Sequence, residues 1–535
     1  MAGSIHLDNV RLWTGDENRR WGHAVTVRDG VITAIDEPRP TDVPQLDGGG
    51  RFVSPGLIDS HIHLVQGGVF LSYLDLRSVR SRAEFEAAVA EEHERLPPGQ
   101  WLIGAGWSEA NWSDTSPANS RRRSSSGGER TMPDNTWLLA CGDRPCVCFR
   151  MDLHAAVVNQ AVLQRVGTSV DPPGGRFARS PESGQPTGLV LESALWQHIL
   201  PLIPDPDGEQ VRRALDLAQR YLNGLGLTSV GAMEYSREVE RAFLPRRPDL
   251  TVRIAVTLLD RDWPLDTSFA DQFVNDDRLK VIGFKAFVDG TLGSRTAAML
   301  DPYSDDSGNC GVLVELAEQG RLADWCRRVT EAGYAPSMHV IGDRALRIAL
   351  DALDGCVDLS AVRSARLEHA QQVAHEDLPR MRGRIASMQP LHKSDDGRTA
   401  RERLGDERMA GFFAFRSLLD YGARLAFGSD WPVVSADPIE GMQAALTGRT
   451  LDGAVECPEQ NLTVEEVLRA YTVNAARALQ LDDCGVLEPG KHGDLAIFDR
   501  NPFETDWSRE RPWIESTIFD GQVVYDRQGA ATSRV

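Results

Sequence analysis

Apolar and polar residues alternate at both ends of the chain and gather into longer apolar runs along its middle. Near the start, "IHLDNVRLWTG" and "AVTVRDGVITAID" have period two, and so do "DLAIFD" and "STIFDGQVVYD" near the end. Period two is the mark of a strand with one face buried. "RDG" and "FDG" between such runs predict tight hairpins. Neither end holds enough strands to bury a face alone, so both are expected to close into one small composite β-sandwich, residues 1–53 with 484–535.

The middle alternates β-rich runs with amphipathic helical patterns. Strands are predicted at 51–59, 227–233, 252–259, 280–287, 335–341, 365–370, 385–390 and 423–429. Segments such as "EQVRRALDLAQRYLNGLG", "RLADWCRRVTEAG" and "DRALRIALDAL" place apolar residues on one helical face and end near Gly or a break. Eight strands interleaved with helices predict an α/β fold, a (β/α)8 TIM-like barrel of residues 54–71 and 206–483, with its site at the C-terminal strand ends. The gap after the first strand is too long for one crossover. Residues 72–205 therefore read as an inserted α/β subdomain on the lid or substrate side. Within it "SDTSPANSRRRSSSGGERTMPDN" (113–135) has no periodicity and is expected to be a mobile loop.

Composition narrows the function. The 535 residues are 41% hydrophobic and 25% charged, as in ordinary globular protein, with a formal charge of −20. That charge argues against nucleic acid or an anionic membrane surface as partner. No run approaches the length of a membrane span, and no secretory signal is evident, so a cytoplasmic protein is expected. The eight cysteines are scattered apart from "CGDRPCVC", which lacks a second pair at zinc spacing, so reduced thiols are expected.

Candidate chemistry begins at "SPGLIDSHIHL". His61 and His63 flank one residue of a strand, so both imidazoles share a face, a start on a divalent metal site. Other strand ends carry Lys285 ("GFKAFVDG"), His339 ("SMHVIGDRA"), His369 ("RLEHA") and Asp430 ("AFGSDWPV"). A barrel brings all six to one mouth.

These residues, with "GWSEANW", "DLHAAVVNQAVL", "DPPGGRFARSPESGQPTGLVLE", "KAFVDGTLGSRTAAM", "SMQPLH", "LTVEEVLRAYTVNAARAL" and "GVLEPGKHGDLAIFD", make the chain resemble the amidohydrolase superfamily. The closer resemblance is to its family 3 branch, which includes N-substituted formamide deformylases and YtcJ-like proteins. The resemblance implies one or two divalent ions per chain, zinc first, and hydrolysis of an amide-like bond. It implies His61, His63, His339 and His369 as ligands, and Asp430 as ligand and proton carrier. It also implies Lys285 as a carboxylated bridge between two metals, against a plain ion pair with Asp289. The stretch from about 120 to 150 departs from the family's orderly pattern.

The expected reaction is hydrolysis of a non-peptide C–N bond, N-formyl or N-acyl, by metal-activated water, with Asp430 as general base and then acid. His392 is the candidate second catalytic group, or else a solvated loop histidine. Trp107, Trp112 and His154 are expected to line the substrate side, although both tryptophans equally suit a subdomain core. Arg295 either binds a substrate carboxylate or holds its own loop through an ion pair. The rivals are hydrolysis of a cyclic amide, carbamate or ester on the same site, and a regulator that keeps the fold without turnover. The partner expected is a small-molecule amide; a homodimer is one option the sequence leaves open.

Overall fold

A computed structural model describes residues 3–18, 20–108, 112, 132–150, 155–167, 170–172, 175–356 and 364–532. The chain divides into two compact units, residues 1–67 with 215–535, and residues 68–214. The first unit is built on an eight-stranded parallel sheet. Its strands are β1 (Leu57–Ile62), β2 (Leu227–Glu234), β3 (Arg253–Leu258), β4 (Leu279–Phe287), β5 (Ala335–Val340), β6 (Arg366–His369), β7 (Ile385–Met388) and β8 (Arg424–Phe427). Strand order follows chain order. Just beyond β1 and β8 the Asp430 N–H donates to His61 O (2.7 Å) and the His63 N–H to Trp431 O (2.9 Å), which bridges the two ends of the sheet. The result is a (β/α)8 barrel. Nearly every barrel-strand residue is buried, which is why these strands read as continuous apolar runs. Helices Leu322–Glu331 and Asp343–Asp354 lie where the 3.6-residue pattern predicts them.

One expected strand is two. The run 51–59 splits into Phe52–Pro55, which pairs with Leu495–Phe498, and β1 of the barrel. Gly56 makes the change of sheet possible: a Cβ there would stand 2.1 Å from Thr228 Oγ1 on β2. The pairing of Phe52–Pro55 with Leu495–Phe498 joins the two chain ends in a six-stranded sheet. A four-stranded sheet from residues 5–47 lies against it through Leu7, Leu12, Val27, Val53, Leu495 and Ile518. Both "DG" hairpins form, with Asp29 and Gly30 at φ 47 and 83 and Asp520 and Gly521 at φ 47 and 72, as paired left-handed residues require.

The second unit has its own six-stranded mixed sheet. Helix Arg82–Arg95, capped by Ser81, and the short turn Asn135–Cys141 belong to the same unit. Of the irregular stretch, residues 132–150 form that turn and strand Cys146–Arg150. Residues 113–131 of the expected loop lie outside the described residues. All eight cysteines are free. Among the described residues no helix is long and apolar enough to cross a membrane.

Beneath the barrel, Arg253 at the start of β3 is buried and bonds Asp494 (3.0 and 3.3 Å) and Asp520. Arg278 adds a second bond to Asp520 at 2.9 Å. Removing one member of a buried ion network leaves an unpaired charge, so Arg253→Met is expected to cost roughly 3–5 kcal/mol of stability. Burial pushes the Asp520 carboxyl up, but His492, Arg253 and Arg278 outweigh it and hold the pKa below the ordinary value. Its contribution is therefore complete above about pH 4, the unfolded pKa, and is lost as pH falls through the folded one. The Tm gap between wild type and Asp520→Asn should be wide at pH 7 and narrow as acid is added. A gap that widens in acid contradicts this assignment.

Candidate metal centre

The C-terminal ends of the barrel strands carry the histidines. His61 lies within β1 and His63 one residue beyond it, and their rings are 5.9 Å apart. His339 on β5 and His369 at the end of β6 have ring centroids 4.5 Å apart, and His61 stands 5.1 Å from His369. Asp430 follows β8 and faces this group. Its Oδ1 is 3.4 Å from His61 Nε2 and 3.2 Å from His63 Nε2, yet it is buried and has no hydrogen-bond partner. Ligands about 2.0–2.1 Å from a shared tetrahedral ion stand about 3.3 Å apart. An orphaned carboxylate oxygen between two ring nitrogens at that spacing fits a metal ligand set. A second cluster joins His369, His392 and Asp430, with ligand atoms in each cluster within 4.8 Å of one another.

The second nitrogen of three of these rings is tied down. His61 Nδ1 donates to Glu368 (2.8 Å), His369 Nδ1 to Gln389 Oε1 (2.8 Å), and His339 Nε2 to Gly290 O (3.0 Å). Each such bond fixes the tautomer and leaves the other nitrogen's lone pair free, as metal-binding histidines require. Burial and the charge of Lys285 push His61 and His339 down to about 4. Burial also holds His369 well below its ordinary value. The three are neutral at pH 7. At His63 the Asp430 carboxylate outweighs burial and raises the pKa. Burial pushes Asp430 up, but His61, His63, His369 and His392 hold it well below the usual carboxylate range.

Lys285 on β4 is buried, and burial lowers it to about 8. It makes no ion pair among the described residues. The pair with Asp289 is not formed, because that carboxylate accepts the backbone N–H groups of Ala298, Ile341 and Gly342 (2.8–3.0 Å). His392 is not a solvated loop histidine. It lies in the first turn of helix Pro390–Leu404, stacked on His369 at 6.0 Å, with Nε2 unpartnered and 3.9 Å from Asp430 Oδ2. Arg295 is committed to Asp305 (3.1 and 2.5 Å), the loop-holding alternative. Trp107 and Trp112 are packed into the core of the second unit with Phe85 and Trp137, also the alternative the sequence left open. His154 lies outside the described residues.

The model of the amidohydrolase family matches residues 46–525. The chain belongs to that family. It is 30% identical to the putative amidohydrolase YtcJ of Bacillus subtilis, across 94% of this chain and 96% of that one. It is 27% identical to the N-substituted formamide deformylase of Arthrobacter pascens, across 98% and 99%. A crystal structure of an uncharacterized metal-dependent hydrolase from Pyrococcus furiosus superposes with TM-score 0.73 at 25% identity, covering 94% of this chain and all of that one. The amidohydrolase family is metal-dependent, and the two His/Asp clusters are the candidate metal sites of this chain.

The sequence reading missed the groups behind the ligands. Glu368 is fully buried and accepts from His61, from Ser337 Oγ (2.6 Å) and from Arg366 Nε (2.9 Å), donors from three strands. Burial pushes this carboxyl up, but Arg366 and His61 hold it well below its ordinary value. Gln389 and Asp59 were missed as well. The available signal was a charged letter inside an apolar strand one or two places from a histidine, as in "LIDSHIH" and "RLEHA". Outer partners of this kind contribute about 10–100-fold to metal affinity. Glu368→Ala is therefore expected to weaken zinc binding by that factor in a chelator competition. Unchanged affinity would show that Glu368 serves only the barrel interior.

Proposed function

We propose that the chain hydrolyses the C–N bond of a small N-formyl or N-acyl amine at a zinc centre held by His61, His63, His339, His369 and Asp430. The observation that carries this reading is the unpartnered Asp430 Oδ1 between His61 Nε2 and His63 Nε2. A divalent ion bound there supplies Lewis acidity to a carbonyl and to water. The 27% identity to a formamide deformylase over nearly the whole chain supports the N-formyl choice.

The residues divide the work. Asp430, a carboxylate at neutral pH, takes a proton from the attacking water and returns it to the leaving amine. His392 Nε2, aimed at Asp430 and free of other partners, is placed to donate to the oxygen on which negative charge develops. With its pKa near 8, Lys285 is neutral in a fraction of molecules at pH 7, and a neutral amine can add carbon dioxide to give an anionic carbamate. In this reading the carbamate would supply an anionic oxygen donor to a second ion.

A panel of formamides, acyl amides, cyclic amides, carbamates and esters tests the substrate class; preference for the last three would overturn it. Asp430→Asn keeps an oxygen donor but cannot accept the proton. Its kcat should fall by about 10²–10⁴-fold with much of the metal retained. A near-normal kcat would remove Asp430 from proton transfer. Elemental analysis is expected to find two ions in wild type and one in Lys285→Ala; equal content in both would contradict the bridge.

A further inference from the structure

Glu234 ends β2 with its side chain buried, 5% exposed, in a place that no part of the reaction described above uses. Its Oε1 accepts the Val65 N–H at 2.8 Å. Its main-chain oxygen accepts the Leu259 N–H at 2.9 Å, which fastens the glutamate to the end of β3. Val65 is the second residue of helix Leu64–Leu71, which starts immediately after His63. The first N–H groups of a helix have no partner inside it, and a side-chain acceptor there satisfies one of them.

The rest of the clamp comes from the other side of the barrel seam. The His63 N–H donates to Trp431 O, and the Gly67 N–H donates to His63 O, both at 2.9 Å. Gly67 lies so close to the Trp431 indole that a Cβ would stand 2.0 Å from the ring. Tyr221 packs on that indole with centroids 5.4 Å apart. His63 is thus held from β8 by Trp431 and from β2 by Glu234, and between them its Nε2 faces Asp430 Oδ1 at 3.2 Å.

We infer that Glu234 is a positioning residue for His63, acting through the first turn of helix Leu64–Leu71. Without it, the helix start keeps only its Trp431 side and an unsatisfied buried N–H, and the imidazole is free to leave the ligand position. This inference rests on the reading of His63 as a metal ligand.

Cobalt serves as the probe, in full-length protein, with affinity read by chelator competition and geometry by the visible spectrum. Glu234→Ala should weaken cobalt binding about 10–100-fold and change the spectrum, as removal of an orienting partner does. Glu234→Gln, whose amide oxygen can accept the same N–H, should restore affinity to within about threefold. Arg253→Met, a destabilising change at the opposite end of the barrel, should lower Tm without moving either readout. If Glu234→Ala does not fold, Glu234→Met keeps the volume and removes the acceptor. Wild-type affinity and spectrum in the acceptor-free variant, or an effect matched by Arg253→Met, would overturn the inference. His63→Ala separates the two levels: if it binds cobalt as wild type does, the ligand assignment fails, and the positioning argument falls with it.

Discussion

Asp59 fastens the seam between β1 and β8, and the candidate metal centre depends on that seam. Its carboxylate accepts the His61 N–H at 3.0 Å and the Ser429 N–H at 3.0 and 3.2 Å, and Ser429 Oγ donates to it at 2.5 Å. One buried side chain thereby fixes the backbone of the first histidine and of the residue before Asp430. The approach is tight: a Cβ on Gly428 would come within 2.5 Å of the His61 nitrogen and 2.7 Å of Asp59 Oδ1. Burial raises the Asp59 carboxyl to about 7, so the hydroxyl and amide donors around it keep a costly group in place. Asp430 and His369 both have left-handed backbone, φ 60 and 70, a conformation that persists for such residues only where surrounding contacts impose it.

The same arrangement recurs around the barrel mouth. Carboxylates on or just beyond the barrel strands spend their oxygens on backbone N–H groups of the segments that carry the candidate ligands: Asp59 for His61, Glu234 for the turn after His63, and Asp289 for the turn after His339. Side-chain acceptors then orient the rings, with Glu368 behind His61 and Gln389 behind His369. Burial keeps the imidazoles of His61, His339 and His369 neutral, and the orienting bonds decide which nitrogen faces the centre. Geometry and protonation therefore follow from one polar lining set inside an apolar barrel.

Much of this was legible in the sequence because strand-end polarity is a local signal. An imidazole or carboxylate closing an apolar run stands out by itself, and each of the eight runs supplies one strand of the barrel sheet. The hairpins were equally legible, since "DG" demands a particular backbone. What escaped was relational. Gly56 divides one apolar run between two sheets because Thr228 crowds it, a fact about tertiary approach. Glu368 looked like part of "RLEHA" rather than the anchor of His61, because its partner is 307 residues away. Arg295 and the two tryptophans had two sound chemical readings each, and only packing chose between them.

A metal centre at the mouth of this barrel makes hydrolysis depend on the bound ion. The most direct measurement is the rate on an N-formyl or N-acyl amine before stripping with chelator, after stripping, and after zinc is returned. Activity should disappear with the ion and return in proportion to zinc bound. Full activity in protein shown by elemental analysis to be metal-free would contradict it.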